Sequence, residues 1–252
     1  FELKPGHFAV YNRSGLHLEK YWSLKSEPHT ETLAQTCDHL EFLLKDSITS
    51  QLASDKPVCT FLSGGLDSSI ITKYASDYFY ENDLPPLDTY SIDYIDNDKN
   101  FVKSDFQPNS DNYYIDLMVN KLHTNHHPIV IDTPELADAL RDAMIARDMP
   151  GMADIDSSLL LFCKNVKKAT TADSSVGLKS ECIQPPSLGL TSGYTPPPSV
   201  ALTGECADEI FGGYPWFFRE DALNSGTFPW SLAISERQTL LHPSIAKKID
   251  LK

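Results

Sequence analysis

Two short strings hold the residues best suited to chemistry. The first, Ser63-Gly64-Gly65-Leu66-Asp67-Ser68-Ser69, follows directly on the apolar run Pro57-Val58-Cys59-Thr60-Phe61-Leu62. Its two glycines permit a tight turn and let an anion approach the bare backbone. Amide N–H groups at such a turn, together with the N-terminus of a following helix, form an anion site suited to phosphate. Ser63, Ser68 and Ser69 add hydroxyl donors. Asp67 is discordant, because a carboxylate beside phosphates is repulsive unless Mg²⁺ lies between them. The second string, Thr203-Gly204-Glu205-Cys206-Ala207-Asp208-Glu209, follows the apolar Val200-Ala201-Leu202 and places three carboxylates within five residues. Taken singly, the first reads as a strand–helix turn and the second as a solvated acidic turn. If both end parallel strands they face one crevice. Two acidic loops around one phosphate-bearing ligand then require a metal, with Asp67 and Asp208 as its expected ligands. Neither GxxxxGK[ST] nor GxGxxG occurs in the chain.

The elements that must position these strings follow from apolar spacing. Leu33, Cys37, Leu40, Leu44, Ile48 and Leu52 predict a helix over 30–54, capped by Thr30 with Glu31 in the first turn. The run over 57–62 predicts a buried parallel strand, and Ile70, Ile71, Tyr74, Tyr78 and Phe79 one face of the next helix. Further strands are expected over 88–92, 128–131 and 200–202, and helices over 110–122, from Thr133 with Pro134 opening it, and over 155–168. A polar loop carrying Asp93, Asp96, Asn97 and Asp98 follows the second strand. The residues before Ser26 read as short extended pieces anchored by Tyr21-Trp22. This alternation predicts an α/β fold, a doubly wound parallel sheet with helices on both faces. The Ser, Thr, Gly and Pro-rich stretch 169–199 breaks the rhythm and is expected to be a loop; a Pro-rich ligand for a recognition domain is the lesser reading of it.

Composition narrows the function classes. With 21 Lys and Arg against 35 Asp and Glu, the net charge is −14, which disfavours nucleic acid and anionic membranes as partners. No stretch approaches the roughly 18 apolar residues of a membrane span. The five cysteines, Cys37, Cys59, Cys163, Cys182 and Cys206, are widely spaced without a CxxC. They suggest neither a disulfide framework nor a zinc site, and favour a reduced, cytoplasmic setting. His123, His126 and His127 have a spacing that suits a metal, but the apolar triplet after Pro128 reads them as the loop before a strand.

The first string resembles the PP-loop, the pyrophosphate-binding signature of ATP pyrophosphatases, which split ATP between its α and β phosphates and adenylate a carboxylate or similar oxygen. Together the two strings resemble the synthetase domain of the glutamine-dependent, class B asparagine synthetases. Ser91-Ile92-Asp93-Tyr94 and the string from Met149 to Ser158 are similar to further blocks of that family, and the resemblance runs from Tyr21-Trp22 to Tyr214. It implies an adenine nucleotide alpha hydrolase-like fold with ATP and Mg²⁺. In that family the β-carboxylate of aspartate attacks the α-phosphate, giving β-aspartyl-AMP and pyrophosphate, and ammonia from a glutaminase domain then displaces AMP. Carried over, Leu62 and Ile92 contact adenine, mainly through backbone. Ser63, Gly64, Gly65, Asp67, Ser68 and Ser69 hold the pyrophosphate, and Thr203 and Gly204 line the nucleotide site. Asp67 and Asp208 hold Mg²⁺, and Glu205 faces the aspartyl group and the incoming ammonia.

The sequence also departs from the family. Thr203 stands where Ser is usual and Cys206 where Gly is usual, and a side chain at a Gly-turn position strains the backbone. The resemblance implies a linker remnant over 1–26 from a missing glutaminase domain and a synthetase domain over 27–252. Within that domain 169–199 is an insertion, and a C-terminal part is missing. Such a fragment is expected to bind ATP–Mg²⁺ weakly and to make no asparagine from glutamine; a homodimer is a further expectation. Alternatives are a β-lactam synthetase or other carboxylate-adenylating relative, a non-catalytic nucleotide-binding or interaction fragment, and, least favoured by the charge, a tRNA-modifying PP-loop enzyme.

Overall fold

The computed structural model describes residues 3–103, 110–148, 151, 153–172, 198–226, 239, 242 and 243. Backbone contacts divide the chain into two units, Phe1–Asp46 and Ser47–Lys252. In the first, β1 (His7–Asn12) and β2 (Gly15–Lys20) form an antiparallel hairpin, with His7 opposite Lys20 and Asn12 opposite Gly15. The Asn12 side chain accepts from the Ser14 N–H at 2.8 Å, which fastens the tip. Tyr21 and Trp22 are held by backbone N–H groups donating to the Gly6 carbonyl at 2.9 and 3.2 Å, while their side chains stay exposed. They anchor this segment through the main chain.

The first helix, α1 (Leu33–Ser50), starts later than the Thr30 cap implies. Thr32 takes that position: its N–H donates to Gln35 Oε1 at 3.0 Å, and the Gln35 N–H donates back to Thr32 Oγ1 at 3.4 Å. This is a capping box, and the Thr-x-x-Gln spacing announces it.

Among the described residues the second unit holds four parallel strands. They are β3 (Val58–Phe61), β4 (Asp88–Tyr94), β5 (Asn125–Ile131) and β6 (Val200–Leu202), in the order β5-β4-β3-β6. Between them come α2 (Leu66–Glu81), the short α3 (Asn97–Asn100), α4 (Asp111–Leu122), α5 (Thr133–Arg147) and α6 (Ala153–Ala172). The short α7 (Ala207–Phe211), a 3₁₀ turn over Pro215–Phe218 and α8 (Glu220–Leu223) follow β6. Chain order steps from β3 through β4 to β5, then returns to the far side of β3. Right-handed crossovers therefore put α2 and α4 on one face and α5 and α6 on the other.

Both faces are packed. Cys59, Tyr90, Ile129 and Ile131 meet Phe162 and Val166 of α6, with Leu136 of α5 against them. On the opposite face Ile48, Leu52, Ala75 and Leu87 are buried, with Ile70, Tyr74 and Phe79 of α2 packed alongside. Each large apolar side chain so enclosed contributes about 1.5–3 kcal/mol. Burial pushes the Cys59 thiol up to about 12, so it packs as an inert apolar group.

Two expectations change. His126 and His127 belong to β5 itself, not to a loop before it. Pro128 is tolerated there because β5 is an edge strand, where a missing N–H breaks no second ladder. The His126 ring bridges Thr89 Oγ1 at 2.9 Å and Ser91 Oγ at 3.1 Å, while His127 stacks on Tyr90 and bonds Asp88 at 3.0 Å. His123 closes α4 in a left-handed conformation. The second change is that α6 stays helical through Ala172, so the segment expected as a loop from Ala169 begins as helix. Residues 173–197 lie outside the described residues.

Candidate active site

The loop after β3 is held by its own side chains and by α4. Leu62 is buried, and its N–H donates to the Tyr90 carbonyl at 2.8 Å, extending the ladder to the mouth of the loop. Gly64 has φ +80°, and a Cβ there would lie 2.8 Å from the Asp111 carbonyl oxygen and 3.2 Å from Tyr114 Cβ. Only glycine suits this position on both counts. Ser63 and Ser68 close the turn on itself. The Ser63 N–H donates to Ser68 Oγ at 3.2 Å, the two hydroxyls are 3.0 Å apart, and the Ser68 hydroxyl donates to the Gly65 carbonyl at 3.2 Å. These hydroxyls, expected as donors to a ligand, are spent on the loop's own shape. The backbone offers an anion site beside them: the first amides of α2, beginning at Leu66, have no acceptor within the helix. Ser69 lies one step deeper, its N–H bonded to the Gly65 carbonyl at 3.1 Å.

The loop after β6 leaves the same edge of the sheet. Because Thr60 pairs with Leu202 in register, Phe61-Leu62 and Thr203-Gly204 emerge side by side. Gly204 touches the start of α2: a Cβ on it would lie 3.0 Å from Asp67 Cβ and 3.4 Å from the Ser68 nitrogen. The two strings thus meet at the point where strand order reverses, the place where open α/β sheets bind ligands. Thr203 Oγ1 accepts the Glu205 N–H at 3.4 Å, and Cys206 sits at φ +69° as the N-cap of α7. The Cys side chain therefore occupies a backbone conformation that favours glycine.

After α7 the chain folds back. Gly212 has φ +68°, the Gly213 N–H donates to the Asp208 carbonyl at 3.0 Å, and Gly213 packs against the Asp208 carboxylate. The Tyr214 hydroxyl donates to Glu209 Oε1 at 2.8 Å, and its ring stacks on Trp216 with centroids 4.3 Å apart. That hydrogen bond, with the charges of Glu209, Asp208 and Glu205, pushes the Tyr214 phenol up to about 12. One phenol feeling three carboxylates identifies this loop as a site of concentrated negative potential. Asp208 is half-buried, as is Asp67, while Glu205 and Glu209 are exposed.

Ile92 turns its side chain into the core beneath α6, so the end of β4 offers a ligand only backbone there. The next residue, Asp93, accepts from its neighbour's N–H (Tyr94) at 2.8 Å, from Asn97 Nδ2 at 2.7 Å and from Asn112 Nδ2 at 2.9 Å. Burial alone would raise its carboxyl, but these three donors outweigh it and hold the group below its ordinary value. Sequence reasoning left Asp93 without a role, because its partners are four and nineteen residues away. Tyr214 was similarly passed over, although a Gly-Gly pair directly after an acidic helix signals a fold-back.

Among the described residues no three His, Cys, Asp or Glu side chains are grouped to hold a metal ion by themselves. The donor set fits Mg²⁺ in the form that ion usually takes, one or two carboxylates with the remaining oxygens from phosphate and water. Asp67 and Asp208, on adjacent loops, would be those carboxylates.

Comparison with known proteins places the chain in context. The family model for asparagine synthase matches residues 39–181 and 190–252. "Asparagine synthetase [glutamine-hydrolyzing] 3" of Bacillus subtilis (strain 168) is 45% identical over 251 residues, which is 100% of this chain and 36% of that protein. "Asparagine synthetase B [glutamine-hydrolyzing]" of Escherichia coli (strain K12) is 28% identical over 72% of this chain and 28% of its own length. The chain thus spans well under half the length of these curated relatives.

Proposed function

The chain belongs to the asparagine synthase family, and on that premise we propose that it is the ATP-using part of an enzyme that amidates aspartate. ATP would lie across the two loops, its phosphates over the first turn of α2 and its adenine against the backbone at Leu62 and Ile92. Gly64 and Gly204 let α4 and the start of α2 close against the loops that would face the nucleotide, with Gly65 in the same turn, and Thr203 would line the same cleft. Asp67 and Asp208 would hold Mg²⁺, which when bound neutralises charge on the departing pyrophosphate.

In this reading the β-carboxylate of aspartate attacks the α-phosphorus and pyrophosphate leaves. Ammonia then attacks the activated carbonyl and AMP leaves. Glu205, exposed on the second loop, would accept the proton lost by the attacking amine. The relatives' names imply ammonia drawn from glutamine, so a glutaminase domain is the expected partner in the full-length protein. Residues 27–252 would be the synthetase domain and 1–26 the link toward that partner. The described cysteines are free thiols, in keeping with a cytoplasmic setting.

The observation that carries this reading is the contact of Gly204 with Asp67, which joins the phosphate-type loop to the acidic loop. Calorimetric titration of the chain with ATP and MgCl₂, alongside a thermal-shift assay, tests it. Saturable, Mg²⁺-dependent binding that weakens in Asp67→Asn and Asp208→Asn is expected. No heat and no thermal shift would overturn it.

A further inference from the structure

We infer that Asp93 is a positioning residue for the phosphate loop, acting through Asn112 and the first turn of α4; this rests on the ATP-binding reading above. The path is continuous on the page. One Asp93 oxygen accepts the Asn112 amide at 2.9 Å, and the other carboxylate oxygen accepts the Tyr94 N–H and Asn97. Asn112 is the second residue of α4, whose first residue, Asp111, sets its carbonyl oxygen against Gly64. Ile115, one turn on, is buried, and its side chain bounds the same glycine. The α4 N-terminus is thus the wall on which Gly64 rests, and Asp93 is the group that ties this wall to the end of β4.

The two arms of the network differ in what they can transmit. Asn97 belongs to α3 and bonds back to the strand end from which α3 itself departs. Asn112 alone leads to the loop. A carboxylate suits the junction because it is acceptor-only and takes three N–H donors without a mismatched proton. An alanine at 93 frees α4's first turn to shift, which lets the tight turn at Gly64 open and misaligns the amides that face phosphate.

The experiment compares Asp93→Ala, Asn112→Ala and Asn97→Ala in the chain as it stands, each first shown to be folded by circular dichroism. Hydrogen exchange of the Ser63–Gly64–Gly65 amides is read without ligand, and affinity is read for ATP–Mg²⁺ and for adenosine. Faster loop exchange in Asp93→Ala and Asn112→Ala, but not in Asn97→Ala, is expected. ATP affinity should fall about tenfold in the first two, with adenosine affinity unchanged and with little further loss in the double variant. Loop exchange unchanged by Asp93→Ala, or equally raised by Asn97→Ala, overturns the inference whether or not ATP binds. Equal loss of ATP and adenosine overturns it too, since that outcome marks a general structural role. Absence of ATP binding in the unsubstituted chain instead defeats the functional reading, and the exchange measurement still decides the role of Asp93.

Discussion

The two loops that meet at Gly204 are built on opposite plans. The loop over 63–69 is pre-shaped: its serines bond one another, Gly64 is wedged against α4, and it feeds a helix of 16 residues. The loop over 203–214 feeds a helix of only five residues, begins it with a strained Cys206, and carries three carboxylates. Its restraints include the Glu205 N–H bond to Thr203, the contact of Gly204 with α2, a fold-back at Gly213 and one phenol on Glu209. The first loop offers backbone amides in a turn held by its own serines and by α4. The second offers concentrated negative charge, which a bound cation would offset. On the proposed reading, a phosphate-bearing ligand with its metal would satisfy both.

Substitutions can break or sharpen this contrast, and the largest effect is expected at the rigid loop. Gly64→Ala forces a side chain into φ +80° and against the Asp111 carbonyl, so stability should fall by about 3 kcal/mol in urea denaturation. A loss below about 0.5 kcal/mol, within the range of an ordinary surface change, would show that the loop is not wedged as described. Gly204→Ala comes next. Its Cβ would press on Asp67 Cβ, a backbone-proximal atom that cannot swing away, and so push the two loops apart. ATP–Mg²⁺ affinity should drop about tenfold, roughly 1.4 kcal/mol, with a smaller change in melting temperature.

At the strained loop the sign reverses. Cys206→Gly should stabilise the chain by about 0.5–1 kcal/mol, because relief of the left-handed penalty exceeds the added freedom of the unfolded state. A lower melting temperature would contradict this. The smallest effect belongs to Tyr214. Its phenol ionises near 12 in the folded chain against an ordinary value of 10.0. The folded state therefore keeps its proton where the unfolded state has lost it. The stabilising contribution is complete below pH 10 and disappears as pH rises toward 12. An ultraviolet phenolate titration, differenced against Tyr214→Phe, should show one tyrosine ionising late. An ordinary midpoint would mean that the bond to Glu209 does not persist in solution.

Much of the candidate site stands out in the sequence itself. Gly64, Gly65 and Asp67 stand out because a strand, a Gly pair and a helix follow one another within a dozen residues, and each signal is local. Cys206 was suspect through the resemblance, because it stands where that family usually has Gly, and its φ of +69° is the left-handed conformation that favours glycine. The histidines were harder to read. Their spacing alone cannot separate a loop from an edge strand, and Pro128 argued for the loop until β5 proved to lie at the sheet's edge. Asp93 was invisible as a hub, because its donors are gathered from α3 and α4 and from its own strand end.

What the sequence by itself determined is the set of elements and the chemistry at their ends. Apolar period, capping residues and glycine turns act over a few residues, so they survive without knowledge of the rest. Only the tertiary structure decided that β6 returns beside β3, and hence that the acidic loop meets the phosphate-type loop at all. It also decided that Ser63 and Ser68 bond each other and that Asp93 braces the wall behind Gly64. These are contacts between side chains or strands brought together by packing of the sheet faces. Burial of the core selects among such arrangements collectively, and no short stretch of sequence specifies them alone.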